Sequence, residues 1–349
     1  MGPKRVFILG TDKCSWSIDR DRENTIALFK EKTDKLKITS RMFRADIIYC
    51  VWYDLLNQPS IYKKIIRLRQ LRKKVIAVIT NDVRNAPEKL DNLKNIVDGW
   101  IAPNSKVYDY VANLGLEVRI VPFLIDKSTF IKIDEDKAEI CKKLEIDKKE
   151  IENRLLIGSF QRDSLGTDLS KPKWQKNPDL LVKILQKLPK DRYLLILAGP
   201  RRHYLINQCN KLGLPYLFIG DEKYILEKKD DLYANNLPLK KINLLYNLID
   251  LYLTTSKSEG GPKAVLESAL TKTLIFSTDV GLASDILHPN LIFSENKLNE
   301  TIIKVDSLMK EPTLFQDEIE YNYKKVLEKL DEDKIIRKII DLINSFKHS

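Results

Sequence analysis

Short apolar runs alternate with longer amphipathic stretches along most of this 349-residue chain. Apolar runs of this length are typical of buried parallel strands, and the stretches between them have helical spacing. The pattern therefore predicts an α/β fold, with parallel sheets covered by helices on both faces. The strands predicted in the first part are Val6–Leu9, Ile47–Trp52, Val75–Ile79, Gly99–Ala102 and Val118–Val121, and the helices are Glu23–Lys32, Ile61–Lys74 and Ser105–Leu114.

A second set of apolar runs begins at Leu155 and predicts a second doubly wound, Rossmann-like sheet. Because the chain is longer than a single core usually supports, we expect domains at 1–150 and 151–330, the first including a charged connection over 131–153. A last helix within 331–349 either packs back on the first domain or simply caps the chain. The predicted strands of the second sheet are Leu155–Ser159, Leu194–Leu197, Leu217–Ile219, Leu251–Thr254, Leu274–Phe276 and Leu291–Phe293.

The segment from Thr255 to Leu270, TSKSEGGPKAVLESAL, combines two carboxylates with a break in secondary structure. Glu259 ends a loop, and Glu267 lies inside the helix predicted to open at Pro262. Glycines let a backbone approach a ligand closely, and a helix N-terminus offers unpaired N–H groups to a phosphate. The pattern is therefore typical of a phosphate site, although an ordinary turn before a helix with acidic residues near its start explains it too.

This segment resembles the motif of two glutamates separated by seven residues in retaining glycosyltransferases, above all in glycosyltransferase family 4, of the group 1, glycogen-synthase-like type. The resemblance covers roughly residues 95–300, and further motifs at Leu155–Phe160, Tyr193–Gly199, Tyr246–Asp250 and Leu274–Gly281 contribute to it. It implies a GT-B fold, in which two Rossmann-like domains face each other across a cleft. It also implies transfer of a sugar from a nucleotide diphosphate to an acceptor hydroxyl of a glycan or lipid-linked glycan.

The resemblance assigns the leaving diphosphate to two basic residues. Arg162 follows the first strand of the second domain, and Lys176 precedes the next helix. An arginine grips phosphate oxygens as a fork, whereas a lysine acts as a point charge. Because the loop between them is long, Lys171 or Lys173 is an alternative to Lys176.

The resemblance also assigns the rest of the donor site. Glu259 is expected to hold the donor sugar and Glu267 the ribose. The base is expected to be read by backbone groups near Pro200–His203 or Lys223–Leu226. The residues expected to line the sugar and phosphates through their backbone are Gly260, Gly261, Pro262 and Lys263.

The first domain departs from the family pattern. Gly10 follows the first strand and either admits a phosphate or sugar or forms a plain turn, while Trp16 and Asp19 form a candidate acceptor platform or pack beneath the loop. Where many relatives have a histidine, this chain reads Ile79–Asp82, which leaves Asn81 or Asp82 as a sugar contact or as a turn. The family's reaction does not need that histidine as a base, because the departing phosphate oxygen takes the acceptor's proton.

No metal or other cofactor is expected, and the thiols are expected to be reduced. The Asp-x-Asp strings at Asp19–Asp21, Asp134–Asp136 and Asp331–Asp333 do not follow a strand at the expected depth, and a chain that is 31% charged produces such strings by chance. The four cysteines have no metal-binding or redox spacing. The chain also has no apolar run of membrane-spanning length, so a cytoplasmic location is expected.

Positive charge is concentrated in the first domain. Residues 1–125 contain 23 Lys and Arg against 14 Asp and Glu, so nine of the eleven net positive charges lie there. The stretch 61–74 alone has seven basic residues among apolar ones. This stretch is either a peripheral contact with anionic membrane or a surface helix whose apolar stripe packs on the sheet.

Two other functions agree with parts of the sequence. Basic charge also marks polyanion- or nucleic-acid-binding proteins, but no nucleic-acid motif accompanies it, so we expect no nucleic-acid partner. Sugar-nucleotide epimerases and inactive proteins share the GT-B architecture. The complete set of Arg162, Lys176, Glu259 and Glu267 favours intact donor binding over a degenerate site.

Overall fold

The computed structural model describes residues 2–11 and 17–346. These residues group into two compact units. The first unit contains the chain up to Ile125, the short segment Ser258–Pro262 and the chain from Glu328 onward, and the second contains Asp126–Lys257 and Lys263–Leu327. The unit boundary therefore lies near residue 125 instead of the predicted 150.

The first unit is built on a parallel sheet with strand order β2-β1-β3-β4-β5-β6. Its strands are β1 (Lys4–Leu9), β2 (Leu36–Ile38), β3 (Ile47–Cys50), β4 (Lys74–Val78), β5 (Gly99–Ala102) and β6 (Val118–Ile120). Its helices up to Ile125 are α1 (Ser17–Lys32), α2 (Pro59–Gln70), α3 (Pro87–Asp91) and α4 (Ser105–Asn113).

Two details of this unit differ from the prediction. The basic helix α2 ends at Gln70, because Lys74 already begins β4, so the end of the predicted stretch 61–74 is turn and strand. Ile65 and Leu68 of α2 are fully buried in the core against the sheet. Strand β2 was not predicted, because only two of its three residues are apolar.

The second unit contains another parallel sheet, in the order β12-β11-β10-β7-β8-β9. Its strands are β7 (Leu155–Ser159), β8 (Tyr193–Ala198), β9 (Tyr216–Ile219), β10 (Leu251–Thr254), β11 (Ile275–Thr278) and β12 (Ile292–Phe293). Its helices are α5 (Lys137–Leu144), α6 (Lys148–Ile151), α7 (Pro178–Leu185), α8 (His203–Leu212), α9 (Glu222–Leu226), α10 (Leu239–Leu248), α11 (Lys263–Leu270), α12 (Ala283–Ile286), α13 (Leu298–Lys310) and α14 (Gln316–Lys329).

The predicted connection over 131–153 is wrong in part, because this stretch contains α5 and α6 and packs within the second unit. Ile140 and Leu144 of α5 are buried. The extended chain before α5 is held by α10, where Asn243 Oδ1 accepts from Ile131 N at 3.1 Å and Asn247 Oδ1 accepts from Ile133 N at 2.8 Å. Because α5 spans only eight residues, its apolar positions cover little more than two turns, which is too short to establish a helical period.

The last helix, α15 (Glu332–Ser345), packs within the first unit. Its buried side chains, Ile335, Ile336, Ile339 and Leu342, join the core formed by β1, β3 and α1. Burying an aliphatic side chain of this size contributes about 1.5–3 kcal/mol. The C-terminal helix is therefore an integral part of the first unit.

Candidate functional site

The second sheet reverses its strand order between β7 and β10. Counted from β7 as the first strand, the order of this sheet is 3-2-1-4-5-6, the classic doubly wound arrangement. Leu251 and Tyr252 of β10 pair with Ile157 and Gly158 of β7. Ligands of such sheets bind beyond the carboxyl ends of the strands at this switch point. The loops after β7 and β10 therefore form the candidate site of this unit.

Arg162 and Lys176 both belong to the long loop that follows β7, and this loop lies against the end of β10. Thr255 Oγ1 donates to the carbonyl of Lys176 at 3.2 Å, and Lys257 N donates to the carbonyl of Gln175 at 2.8 Å. Arg162 lies three residues beyond the end of β7 and is partly exposed. Both predicted diphosphate ligands are thus at the switch point. The alternative Lys171 is an exposed side chain that pairs with Asp168 at 3.4 Å.

A buried ion pair fixes the backbone directly after Arg162. The Arg202 guanidinium is fully buried, with Nε 3.2 Å from Asp163 Oδ2 and Nη2 donating to Ser159 Oγ at 3.0 Å. Asp163 Oδ1 accepts from Leu205 N at 3.2 Å, which ties the loop to the first turn of α8. Burial raises the pKa of Asp163, and the charge of Arg202 opposes that rise.

Sequence reasoning missed this pair. Arg202 lay in a loop expected to read the base, and among 60 Lys and Arg nothing distinguished one buried arginine. The other candidate base-reading segment, 223–226, forms most of α9, where Leu226 is 79% exposed.

Glu267 lies in the second turn of α11 and accepts a hydrogen bond from a buried tyrosine. Tyr246 of α10 donates its hydroxyl to Glu267 Oε2 at 2.8 Å. Burial, and next the Glu267 carboxylate, raise the pKa of Tyr246 well above its usual range. The hydroxyl therefore stays protonated and donates. Tyr246 was recognised in the sequence only as part of a motif, because nothing in the spacing shows which carboxylate its hydroxyl reaches.

The loop with Glu259 groups with the first unit. Within that unit the Gly260 carbonyl accepts from Asn104 Nδ2, and Asn85 Nδ2 donates to Ser258 Oγ at 2.7 Å. A Cβ on Gly260 would lie 2.3 Å from the Thr80 carbonyl oxygen, so any larger residue forces the backbone to shift. The close approach of the Thr80 backbone therefore explains why residue 260 is a glycine.

The other residues of this loop flank the start of α11. Helix α11 begins at Lys263, one residue later than predicted, so Pro262 immediately precedes it and is buried. Glu259, Gly261 and Lys263 are partly exposed. Their assignment to sugar and phosphate remains a prediction.

Gly10 lies at the strand-order reversal of the first sheet, directly after β1. Its φ of +135° favours glycine, and an added Cβ would lie 2.5 Å from Val51 Cγ2. Packing against Val51 therefore explains this glycine without a ligand. Asp19 is in the first turn of α1 and accepts from Thr11 Oγ1 at 2.5 Å, whereas Trp16 lies outside the described residues.

Acidic residues that the sequence offered as metal or sugar ligands make hydrogen bonds or ion pairs within their own segments. Asp136 caps α5 by accepting from Glu139 N at 2.8 Å, and Asp331 caps α15 by accepting from Asp333 N at 3.0 Å. Asp82 is buried and pairs with Arg84 at 2.7 Å. Across residues 2–11 and 17–346 there is no group of three or more His, Cys, Asp or Glu side chains placed to hold a metal ion.

Cys50, Cys141 and Cys209 are free and buried, while Cys14 lies outside the described residues. None of the helices in the described part of the chain is long and apolar enough to cross a membrane.

Comparison with known families gave a match to part of the chain, mostly within its second unit. The family described as Glycosyl transferases group 1 matches residues 170–325. This match confirms the resemblance inferred from the glutamate motif, and it includes Lys176, Glu259 and Glu267. A comparison with curated protein sequences gave no match.

Solved structures are similar to the chain over almost its whole length. HepE from Anabaena, in complex with UDP and glucose, is 14% identical, with a TM-score of 0.72 over 98% of this chain and 100% of HepE. Sucrose-phosphate synthase from Thermosynechococcus elongatus is 10% identical, with a TM-score of 0.70 over 98% of each chain. The α,α-trehalose-phosphate synthase (UDP-forming) from Burkholderia vietnamiensis is 12% identical, with a TM-score of 0.60 over 85% of this chain and 70% of its own.

At these identities the structural likeness establishes the fold, which confirms the predicted GT-B class. The family match adds information about residues 170–325, because the fold alone does not specify a family. Residues 170–325 thus match the group 1 glycosyl transferase family, and the chain has the GT-B fold.

Proposed function

We propose that this protein is a retaining glycosyltransferase that moves a sugar from a nucleoside diphosphate to an acceptor hydroxyl of a glycan or lipid-linked glycan. The observation that supports this most is the placement of Arg162 and Lys176 together at the switch point of the second sheet. Helix α11, which carries Glu267, starts from the loop after β10 at the same switch point. Two cations in the loop at this switch point suit a leaving group that gains negative charge.

The proposed reaction needs neither a metal nor a protein base. The acceptor oxygen attacks the anomeric carbon as the bond to the diphosphate breaks, and the departing phosphate oxygen takes the acceptor's proton. Arg162 and Lys176 stabilise the charge that accumulates on the diphosphate, while Glu259 holds the donor sugar and Glu267 the ribose. Backbone groups of Gly260, Gly261 and Lys263 complete the donor site.

A nucleotide is expected to stabilise the protein without any metal. UDP is the first probe, because the HepE complex contains it. In EDTA, a nucleotide at 100 times its Kd adds about 2.7 kcal/mol to the folded state, which raises the Tm by several degrees. A thermal-shift screen of UDP, GDP and ADP measures this, and the stabilisation is expected to fall to about half in Glu267→Ala, because a tenfold weaker Kd leaves about 1.4 kcal/mol. The absence of a shift with every nucleotide at millimolar concentration would contradict the donor assignment.

We also propose that the first unit contacts the anionic, cytoplasmic face of a membrane through α2 and the adjacent turn. Lys63, Lys64 and Arg67 are exposed along α2, which contains no acidic residue. Phe43, 62% exposed, lies beside this helix, with Lys64 Nζ 5.7 Å from its ring centre. Exposed apolar side chains among basic ones suit the interface of an anionic bilayer.

Flotation with vesicles tests the membrane proposal. The protein is expected to float with phosphatidylserine-containing vesicles and to stay behind with neutral ones. Reversing Lys63, Lys64 and Arg67 to glutamate is expected to abolish flotation, since each basic residue near the surface contributes about 1 kcal/mol. As a matched control, the same reversal at the exposed residues Lys187, Lys211 and Lys240 of the second unit is expected to leave flotation unchanged. Equal flotation of both triple variants would refute the proposal.

A further inference from the structure

The ring of Tyr246 is held by aromatic side chains from three other parts of the second unit. Phe160, directly after β7, lies 5.3 Å away between ring centres, Tyr252 of β10 lies 5.4 Å away, and Phe130 lies 6.2 Å away. Tyr246 itself is only 1% exposed. Because Phe160 directly follows β7 and Tyr252 lies in β10, the two strands of the switch point, the ring is fixed relative to the candidate site.

The hydroxyl of this fixed ring has a single proton, and that proton is directed to one oxygen of Glu267. Desolvation and the carboxylate both keep the hydroxyl protonated. The carbonyl of Tyr246 accepts from Thr273 Oγ1 at 2.7 Å, so α10 is also tied to the loop after α11. The carboxylate is therefore oriented by a donor that has little freedom to move.

We propose that Tyr246 is a positioning residue, whose hydroxyl holds the Glu267 carboxylate in the orientation that accepts the ribose hydroxyls of the nucleotide. This inference rests on the proposed function, in which Glu267 binds the ribose. Tyr246 lies in α10, not in the helix of Glu267, and it affects nucleotide binding only through the Glu267 carboxylate. Since a hydrogen bond to a charged group has a strong preferred direction, a loosened carboxylate binds a pair of hydroxyls less well.

The test compares UDP with 2′,3′-dideoxy-UDP by calorimetry on the intact chain. In the wild type, loss of the ribose hydroxyls is expected to raise the Kd about tenfold or more. The measured quantity is the ratio of the Kd of 2′,3′-dideoxy-UDP to the Kd of UDP. In Glu267→Ala this ratio is expected to fall close to one. In Tyr246→Phe it is expected to fall about fivefold, while the aromatic packing remains. Both ligands report on the same folded molecules, so partial unfolding lowers the number of sites and leaves the ratio intact.

Tyr193→Phe is the matched control, because it removes another buried tyrosine hydroxyl of this unit, which donates to the Leu185 carbonyl at 3.2 Å. Its ratio is expected to equal that of the wild type. A wild-type ratio in Tyr246→Phe, together with a lost ratio in Glu267→Ala, would overturn the positioning role alone. An unchanged ratio in Glu267→Ala would overturn the ribose assignment and the inference with it, whereas absence of UDP binding to the wild type would overturn the proposed function.

Discussion

The Arg162→Ala variant is expected to lose about 100- to 1000-fold in kcat, the usual cost of removing one fixed donor from developing charge. The loss falls on kcat because the diphosphate carries more charge in the transition state than in the bound donor. Release of nucleoside diphosphate from the stabilising nucleotide sugar measures it. Arg162→Lys keeps the charge but loses the two-pronged geometry, so its kcat is expected to lie between that of the wild type and that of Arg162→Ala.

Arg154→Ala is the matched control for this prediction. Arg154 is an exposed arginine immediately before β7, at the end of the strand opposite to Arg162. Its replacement removes the same charge from the same unit and is expected to leave kcat unchanged. Equal kcat values for the two alanine variants would show that Arg162 contributes only to the general charge of the unit.

The strands were predictable because their residues differ sharply from the flanking ones. Leu155–Ser159, Gly99–Ala102 and Leu251–Thr254 were predicted with the bounds that the structure has. Each is a short, buried run that ends at polar or turn-forming residues, so local chemistry alone determines it. Strand order is different, because periodicity does not tell which strands become neighbours. The switch point between β7 and β10 was available only through the resemblance to a known fold.

The contacts that organise the candidate site were not predictable from local sequence. The bond between Tyr246 and Glu267 depends on how α10 and α11 pack, and neither residue is unusual in its own helix. Likewise, Asp163 and Arg202 belong to loops that follow different strands and meet only after β7 and β8 pair. Motifs identified the residues expected to touch a ligand, whereas the residues that hold them in place emerge from tertiary structure.

The Asp163→Ala variant is expected to destabilise the second unit by about 3–5 kcal/mol, since it leaves the fully buried Arg202 charge without its partner. Native-state hydrogen exchange of the β7 and β8 amides measures this cost locally, which suits a chain of two units. The loop backbone keeps its other bonds, including that from Lys173 N to the Asp163 carbonyl at 2.7 Å. The loss therefore reports on the carboxylate.

Two companion variants separate the buried charge from a general effect of mutating this loop. Asp168→Ala removes a partly exposed carboxylate of the same loop and is expected to change exchange far less. Adding Arg202→Met to Asp163→Ala removes the unpaired charge, so the double variant is expected to regain much of the lost stability. If the double variant is less stable than Asp163→Ala alone, the bond from Arg202 to Ser159 and the packing of the guanidinium stabilise the loop more than its pairing with Asp163 does.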